Sequence, residues 1–248
     1  IQNGFARQSD GHGGGGIYIH GESSALIENN IIKDNRSIPD ESIAYDGGGV
    51  RIESTGNPII NNNIIMNNEA FSGGGGIFVS VCGPSTQITN NLIINNSAVP
   101  NNNGDPPGNN GGGVRLQNYA IGGGEPYYSG PYFINNTLLL NDNNGEPSDL
   151  MARGDAVVLN NILGYLNTDY TNVDVNYSFI SNTTANTPLF VDPENGNFNL
   201  QWGSPCIDAG DPASDLDPDG TIVDMGAYFF NQTDPTPPTV SITSLSSN

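Results

Sequence analysis

Hydrophobic and polar residues alternate in short segments that recur along most of the chain. Each segment begins with a glycine run, continues as a strand-like alternation, and reaches an Asn pair followed by a second apolar stretch. Four such segments begin at Gly13, Gly47, Gly73 and Gly111, and a shorter fifth copy begins at Gly154. Repeats of ~20–50 residues are typical of solenoid proteins. The pattern therefore predicts a solenoid.

The alternation has a period of two residues, which predicts β-strands. Apolar, mostly β-branched residues such as Ile17, Ile19, Val50 and Ile52 take the inward positions. Glycine-rich and Asn-rich stretches are poor helix formers. The leucine-rich framework and the 3.6-residue period of other solenoids do not occur. We expect an all-β fold, a right-handed parallel β-helix, with three short strands in each coil.

Two sets of Asn residues occupy equivalent positions in successive repeats. Asn tolerates the left-handed backbone that sharp bends need, and stacked side-chain amides can form a hydrogen-bonded ladder. We interpret both sets as structural asparagine ladders rather than as ligand-binding residues. The first set is Asn30, Asn63, Asn91, Asn136 and Asn161, and the second is Asn35, Asn68, Asn96 and Asn141.

The insertions are placed asymmetrically. Three of four long loops enter just before a glycine-run strand. Insertions in solenoids collect on one face, which is often the binding face. We therefore expect a lateral groove walled by the loops at 36–46 and 97–110.

The outward positions of the glycine-run strands supply the candidate ligand-binding residues. Aromatic faces can pack on sugar rings, and Arg side chains bind carboxylate or sulfate. The alternative is an ordinary surface row in which Arg lies over aromatic neighbours. If the row binds a polysaccharide, its binding residues are Tyr18, His20, Arg51, Glu53, Phe78 and Arg115.

The charge of the chain limits its partners. The net charge is −20 over 248 residues, and none of the six Lys and Arg residues follows Arg153. Such a protein repels nucleic acid and anionic membranes, and no apolar run is long enough for a membrane span. We expect no nucleic-acid partner, no membrane insertion, and a secreted or cell-surface location. A disulfide between Cys82 and Cys206 is not favoured, because they lie far apart in sequence.

The segment 187–230 carries several family motifs. Residues 204–211 read SPCIDAGD, residues 217–220 read DPDG, and residues 224–228 read DMGAY. The segment resembles the end of bacterial secreted β-helix proteins of the choice-of-anchor Q domain type, and the upstream repeats resemble them more loosely. That resemblance implies a β-helix and export from the cell, with little about activity. Those proteins usually carry Arg shortly after the Asp-Gly, where this chain has Thr221 and its two neighbours.

These motifs define the expected domain organisation. One β-helix is expected over residues 1–230, with a last coil at about 187–230 that caps its apolar end. The composition of residues 231–248 predicts a Pro/Thr/Ser linker that leads into a truncated Ig-like domain. Since the chain begins in mid-strand, we expect further coils upstream. The open solenoid end is a candidate surface for self-association.

Alternating carboxylates suggest a cation site in the C-terminal segment. Asp215, Asp217 and Asp219 precede Gly220, and Asp224 follows. The spacing resembles the start of an EF-hand-type loop and predicts Ca²⁺ as a cofactor, although no Glu occupies the twelfth position. The alternative is an acidic turn whose carboxylates cap backbone amides.

The sequence has no specific catalytic signature. A lyase would draw on the basic and aromatic residues of the outward row, and a hydrolase would need a carboxylate pair such as Glu53 with Asp46 or Asp10. We therefore predict an extracellular β-helix module of a larger secreted or cell-surface protein. It would bind polysaccharide or act as an adhesin or structural spacer. The alternative is a polysaccharide lyase or glycoside hydrolase.

Overall fold

The chain winds into a parallel β-helix in which every coil adds strands to stacked sheets. A computed structural model describes residues 1–6, 14–37, 46–99, 110–117, 130–168, 173–181 and 187–233. Four sheets run along the helix where three strands per coil were expected, because a two-residue fourth strand precedes the next glycine run. Within these residues, the one helix is the 3-10 turn Pro193–Asn195. No helix in the described part is long and apolar enough to cross a membrane.

The four sheets are named here by their order within a coil. Sheet I, after the glycine runs, holds β2 (Ile17–Gly21), β6 (Val50–Ser54), β10 (Ile77–Val81), β14 (Val114–Gln117), β19 (Leu150–Arg153) and β22 (Leu166–Thr168). Sheet II holds β3 (Leu26–Glu28), β7 (Ile59–Asn61), β11 (Gln87–Thr89), β15 (Tyr132–Ile134), β20 (Val157–Leu159) and β23 (Asp174–Asn176). Sheet III holds β4 (Ile31–Lys33), β8 (Ile64–Met66), β12 (Leu92–Ile94), β16 (Thr137–Leu139), β21 (Ile162–Leu163) and β24 (Phe179–Ile180).

The fourth sheet has two-residue strands and ends earliest along the chain. Sheet IV holds β1 (Phe5–Ala6), β5 (Arg36–Ser37), β9 (Glu69–Ala70), β13 (Ser97–Ala98), β17 (Asp142–Asn143) and β18 (Glu146–Pro147). The last pair, β17 and β18, is antiparallel and closes the sheet with a hairpin. A separate antiparallel pair, β25 (Phe190–Asp192) and β26 (Asn197–Leu200), lies in the C-terminal segment.

The inward side chains form one continuous apolar core, as the period-two pattern predicted. In sheet I, Ile19, Ile52, Val79 and Leu116 stack in register, and all four are buried. Central residues of sheets II and III complete the core from the other sides. Burial of each methylene group contributes about 0.8 kcal/mol, so this core is the main source of stability.

The two asparagine ladders predicted from the sequence are confirmed. They follow the turn between sheets II and III and the turn between sheets III and IV. The side-chain oxygen of Asn91 accepts from the backbone nitrogen and the side-chain amide of Asn63 at 2.9 and 3.0 Å. Its own amide donates to Asn136 and to the carbonyl of Ile60. Successive ladder residues lie 33, 28, 45 and 25 positions apart, so loops of different length leave the register intact.

The left-handed bend lies one residue before each ladder position. The φ angle is 53° at Asn62, 57° at Asn90 and 55° at Asn135. The sequence pattern predicts the bend and the ladder at the same residues. The two roles are in fact divided within each Asn pair, because a left-handed backbone at the first residue turns the second side chain inward onto the ladder.

The second ladder ends on a carboxylate. The backbone nitrogen and side-chain amide of Asn141 donate to Asp149 Oδ1 at 3.0 and 2.7 Å. Asp149 follows the hairpin that closes sheet IV and is buried. Burial raises the pKa of this carboxyl to about 7, although hydrogen bonds from Asn141 and the backbone of Tyr165 oppose the rise.

The C-terminal segment lies along the outer face of sheet III. Met66, Leu92 and Ile94 project from that face and pack in a second apolar cluster. The segment contributes Phe190, Phe198, Leu200 and Cys206 to the cluster. Among the described strands, β25 and β26 pair only with each other. The segment thus covers a side of the β-helix, where the sequence analysis expected a final coil at its end.

Replacing Asn91 by Ala tests the ladder. The backbone amide of Asn63 would lose its acceptor in a buried site, so we expect a loss of at least about 3 kcal/mol in the free energy of unfolding. Gln87→Ala is the matched control, because this amide is exposed on the adjacent strand. It should change stability by less than about 0.5 kcal/mol. Similar urea midpoints for the two variants would contradict the ladder's energetic role.

The raised pKa of Asp149 predicts that the free energy of unfolding falls as pH rises. Its carboxyl titrates near 3.8 when unfolded and near 7 when folded. Between those values the native state keeps a proton that the unfolded chain releases, so stability decreases across this window. We expect a loss of roughly 1–3 kcal/mol between pH 5 and pH 8 in urea unfolding.

Asp149→Asn should reduce that slope, because an amide does not titrate. The exposed Asp215→Asn change is the control and should keep the wild-type slope. Asp224, whose pKa is raised to about 6 chiefly by burial, contributes in the same direction, so a smaller slope should persist in the variant. An unchanged slope in Asp149→Asn would refute this assignment.

Candidate functional site

The predicted row of aromatic and Arg residues forms a continuous stack on the outer face of sheet I. Strand pairing places Tyr18, Arg51, Phe78 and Arg115 side by side. The guanidinium carbon of Arg51 lies 5.7 Å from the centroid of the Tyr18 ring and 5.6 Å from that of Phe78. The guanidinium carbon of Arg115 lies 5.9 Å from the centroid of the same Phe78 ring. Cations and rings therefore alternate at cation–π distance.

A carboxylate neutralises the first Arg of the stack. Glu53 Oε2 accepts from Arg51 Nη2 and from the Tyr18 hydroxyl, each at 3.0 Å. Burial, and then the hydrogen bond to Glu53, raise the pKa of Tyr18 to about 12. Tyr18 is therefore a neutral phenol at physiological pH. As the base of a lyase it would have to lose a proton that it holds more firmly than an ordinary tyrosine does.

The two Arg side chains are nearly buried. Arg51 is 8% exposed and Arg115 is 7% exposed, while Phe78 is 4% exposed. Close contact with the glycine-run backbone contributes, since a Cβ at Gly73 would lie 2.8 Å from the Arg115 guanidinium. The loops at 36–46 and 97–110, predicted to wall a groove here, lie largely outside the described residues. The Arg side chains lie over their aromatic neighbours, as the alternative interpretation describes, and polysaccharide binding by this row stays a prediction.

A second outward row on sheet I, which begins with His20 and Glu53, is less regular than the first. His20 pairs with Glu53, and its ring centroid lies 5.4 Å from that of Tyr18. The pairing partner of Glu53 on β10 is Val81, because the register shifts after Val79. Ser80, which lies between Val79 and Val81 on β10, is therefore displaced from this row. Of the carboxylates proposed as partners for Glu53, Asp10 lies outside the described residues.

The predicted calcium ligands act as caps for the irregular C-terminal backbone. Asp217 Oδ2 accepts from the backbone nitrogen of Asp224 at 2.8 Å. The two oxygens of Asp219 accept from Thr221 and from the backbone of Gln232. Hydrogen bonding, led by Gln232, lowers the pKa of Asp219, whereas burial raises that of Asp217. Asp215 is exposed.

Asp224 is the most buried of these carboxylates. Its two oxygens accept from the backbone nitrogens of Asp208 and Phe230 at 2.7 and 2.6 Å. Burial raises its pKa to about 6 against those bonds. No group of three or more His, Cys, Asp or Glu side chains in the described part of the chain is arranged to hold a metal ion. Calcium binding at Asp215, Asp217, Asp219 and Asp224 stays a prediction.

Neither thiol is suited to nucleophilic catalysis. Cys82 and Cys206 are free and buried, the first in the inner core and the second against the outer face of sheet III. Burial raises the pKa of each thiol to about 12. The thiolate, which is the reactive form, is therefore scarce at neutral pH.

A polar cleft lies between the C-terminal segment and the turns that join sheets II and III. Its volume is about 310 Å³. The repeat pattern does not indicate this cleft, because the cleft depends on the lateral docking of the segment. One available signal was the apolar run in sheet III: Ile64, Ile65 and Met66 are consecutive and apolar, a pattern typical of a strand covered on both faces.

The comparison with known proteins supports the observed architecture. A family model described as a right-handed beta helix region matches residues 2–138, which is more than half of the chain. No curated protein and no solved structure matches the chain.

The stack predicts that Arg51 contributes strongly to stability. Arg51→Ala removes two cation–π contacts and leaves the partly buried Glu53 without its cation, so we expect a loss of about 2–4 kcal/mol. Arg36→Ala is the control, because its 2.7 Å ion pair with Glu69 is exposed. This pair should contribute less than about 1 kcal/mol. Equal losses in chemical unfolding would show that Arg51 is not held in the stack.

Proposed function

The chain belongs to the right-handed β-helix family, and on that premise we propose that it is a rigid, non-catalytic module of a secreted or cell-surface protein. The motifs at 204–211 and 224–228 favour a bacterial protein of the choice-of-anchor Q domain type. The net charge of −20 suits an extracellular surface that stays soluble and repels anionic partners. In this role the chain would hold neighbouring domains or ligands at a fixed separation.

One observation carries the proposal: the outward side chains that could have formed a glycan site instead bind one another. Arg51 is stacked between two rings and paired with Glu53. An acidic glycan would have to displace this internal carboxylate before the guanidinium could bind its own. It would also approach a protein of strongly negative charge. Both effects weaken the case for an acidic polysaccharide on this face.

The hydrogen-bonded turns supply the stiffness that such a module needs. Each coil adds about 4.8 Å along the axis, so the six strands of sheet I extend over roughly 24 Å. Ladder residues tie each coil to the next on two edges. A bend would stretch these bonds together with the strand pairing. The module should therefore resist bending and keep its two ends at a constant separation.

The chemistry of the described side chains favours a non-catalytic role over the lyase and hydrolase alternatives. Tyr18 is held as a phenol, and both thiols are protonated at neutral pH. Glu53 is used by Tyr18 and Arg51. A β-helix by itself does not specify a reaction, so the assignment depends on these groups.

A screen against acidic glycans tests this proposal. Pectic, alginate and chondroitin oligosaccharides should neither bind on an array nor yield the ultraviolet absorbance of an unsaturated uronate. The variants Arg51→Ala and Arg115→Ala should differ from wild type in stability alone. Acidic-glycan binding that both variants lose, or a uronate product, would overturn the proposal in favour of a recognition module or a lyase.

A further inference from the structure

We propose that the polar cleft beside the C-terminal segment binds a neutral saccharide unit. This site lies on a different side of the β-helix from the aromatic–Arg stack, and it adds a ligand to a module whose proposed role is structural. Its volume of about 310 Å³ is at the small end of ligand sites, as a single sugar ring requires. The residues used in the argument are Asn62, Asn90, Asn135, Asp217, Asp224 and Phe229.

The cleft is held in place by the docking of two walls. The backbone nitrogen of Gly226 donates to Asn160 O at 2.8 Å, and that of Ala227 donates to Thr137 Oγ1 at 2.9 Å. Asn160 Oδ1 accepts from the backbone of Asp211 at 2.8 Å. These bonds join the segment to two successive coils. A ligand would therefore bind a preformed site, and little binding free energy would be lost in ordering the site.

One wall presents a row of amides. Asn62, Asn90 and Asn135 are the left-handed residues of successive turns, so they recur at about 4.8 Å along the axis. The amides of Asn62 and Asn90 donate to Asn29 and Asn61 at 2.7 and 3.0 Å, which holds their side chains in place. Side-chain amides offer both donors and acceptors, which matches sugar hydroxyl groups.

Asn135 differs from the other two amides. Its side-chain oxygen is shut off from solvent and has no hydrogen-bond partner among the described residues. An unpaired buried acceptor destabilises the folded state. Rotation of this amide toward a hydroxyl donor would give the oxygen a partner, and it would break no existing bond of that oxygen. A ligand with hydroxyl groups would thus satisfy an acceptor that the protein leaves unsatisfied.

The opposite wall supplies carboxylates of fixed orientation. Asp217 accepts a backbone amide through Oδ2, and no described residue bonds its Oδ1. Both oxygens of Asp224 accept backbone amides. With three of four oxygens committed, the pair falls far short of the six to eight ligands of Ca²⁺. Their negative charge also disfavours uronates, sulfates and phosphates, which leaves a neutral hydroxyl-bearing ligand.

An aromatic side chain completes the cleft. Phe229 lines it and remains 37% exposed, so part of its ring is available to a ligand. A few convergent polar groups beside an apolar surface are typical of small-molecule sites. The C–H face of a sugar ring can pack against such a ring while its hydroxyls reach Asn135 and Asp217. This combination favours a saccharide over a small polar ion.

The test is binding of neutral saccharides by the full chain, measured by saturation-transfer NMR and calorimetry. The probes are cellobiose, mannobiose, lactose, maltose and chitobiose, with digalacturonate as the anionic comparison. We expect at least one neutral disaccharide to bind at millimolar affinity or better, and digalacturonate to bind at least tenfold more weakly. Amide shifts at Gly226 and Ala227 should report the contact.

Matched variants locate the site. Phe229→Ala and Asp217→Asn should each weaken binding at least tenfold, and the asparagine can still cap the Asp224 amide. Tyr132→Ala and Asp215→Asn are the controls, because Tyr132 has a similar exposed fraction of 38% on sheet II and Asp215 is exposed outside the cleft. The controls should leave binding unchanged, and thermal melts should show all four variants folded.

Several results would overturn the proposal. They are no binding by any neutral probe, binding that both cleft variants retain, digalacturonate binding as tight as that of the best neutral sugar, or a calcium titration that saturates at Asp217 and blocks sugar binding. Digalacturonate binding would bear on the aromatic–Arg stack only if Arg51→Ala and Arg115→Ala abolished it, and the other results do not concern the stack. The two proposals can therefore fail separately.

Discussion

The stacking of identical hydrogen-bonded turns is the constraint on which the rest of this structure depends. A parallel β-helix aligns residues that are far apart in sequence, and strands of two or three residues are too short to fix their own register. The ladder amides supply that register, because each one bonds both the backbone and the side chain of its neighbour. Loops of very different length can then be inserted without disturbing the core.

The repeat unit could be predicted from the sequence because its signals are local. Period two, glycine runs and paired Asn each specify a conformation within a few residues, and the inward rows and both ladders follow. The fourth strand was missed, since two residues such as Ser97 and Ala98 give no periodicity. The neutralisation of Arg51 was also missed. It depends on Glu53 reaching back across two positions to the same side, and an alternation pattern assigns a side without assigning a rotamer.

The position of the C-terminal segment illustrates a different limit. Its motifs suggested a cap, yet it packs along sheet III because Met66, Leu92 and Ile94 give that sheet a largely apolar outer face. The same segment has little regular secondary structure, so its backbone amides need other acceptors. Asp217, Asp219 and Asp224 provide them. Part of the acidity that suggested cation binding therefore has a structural cause, and burial of Asp224 makes that structure sensitive to pH.

The Asn pairs connect the fold to the proposed saccharide site. In the turns between sheets II and III the second Asn faces inward and carries the ladder, while the left-handed first Asn places its amide on the outside. A regular row of outward amides is thus a by-product of the turn geometry, and by itself it is an ordinary surface. It becomes a cleft only where the docked segment adds Asp217, Asp224 and Phe229 opposite it. Ligand recognition would then depend on the one part of the chain that does not repeat, which explains why the repeats alone gave no indication of the site.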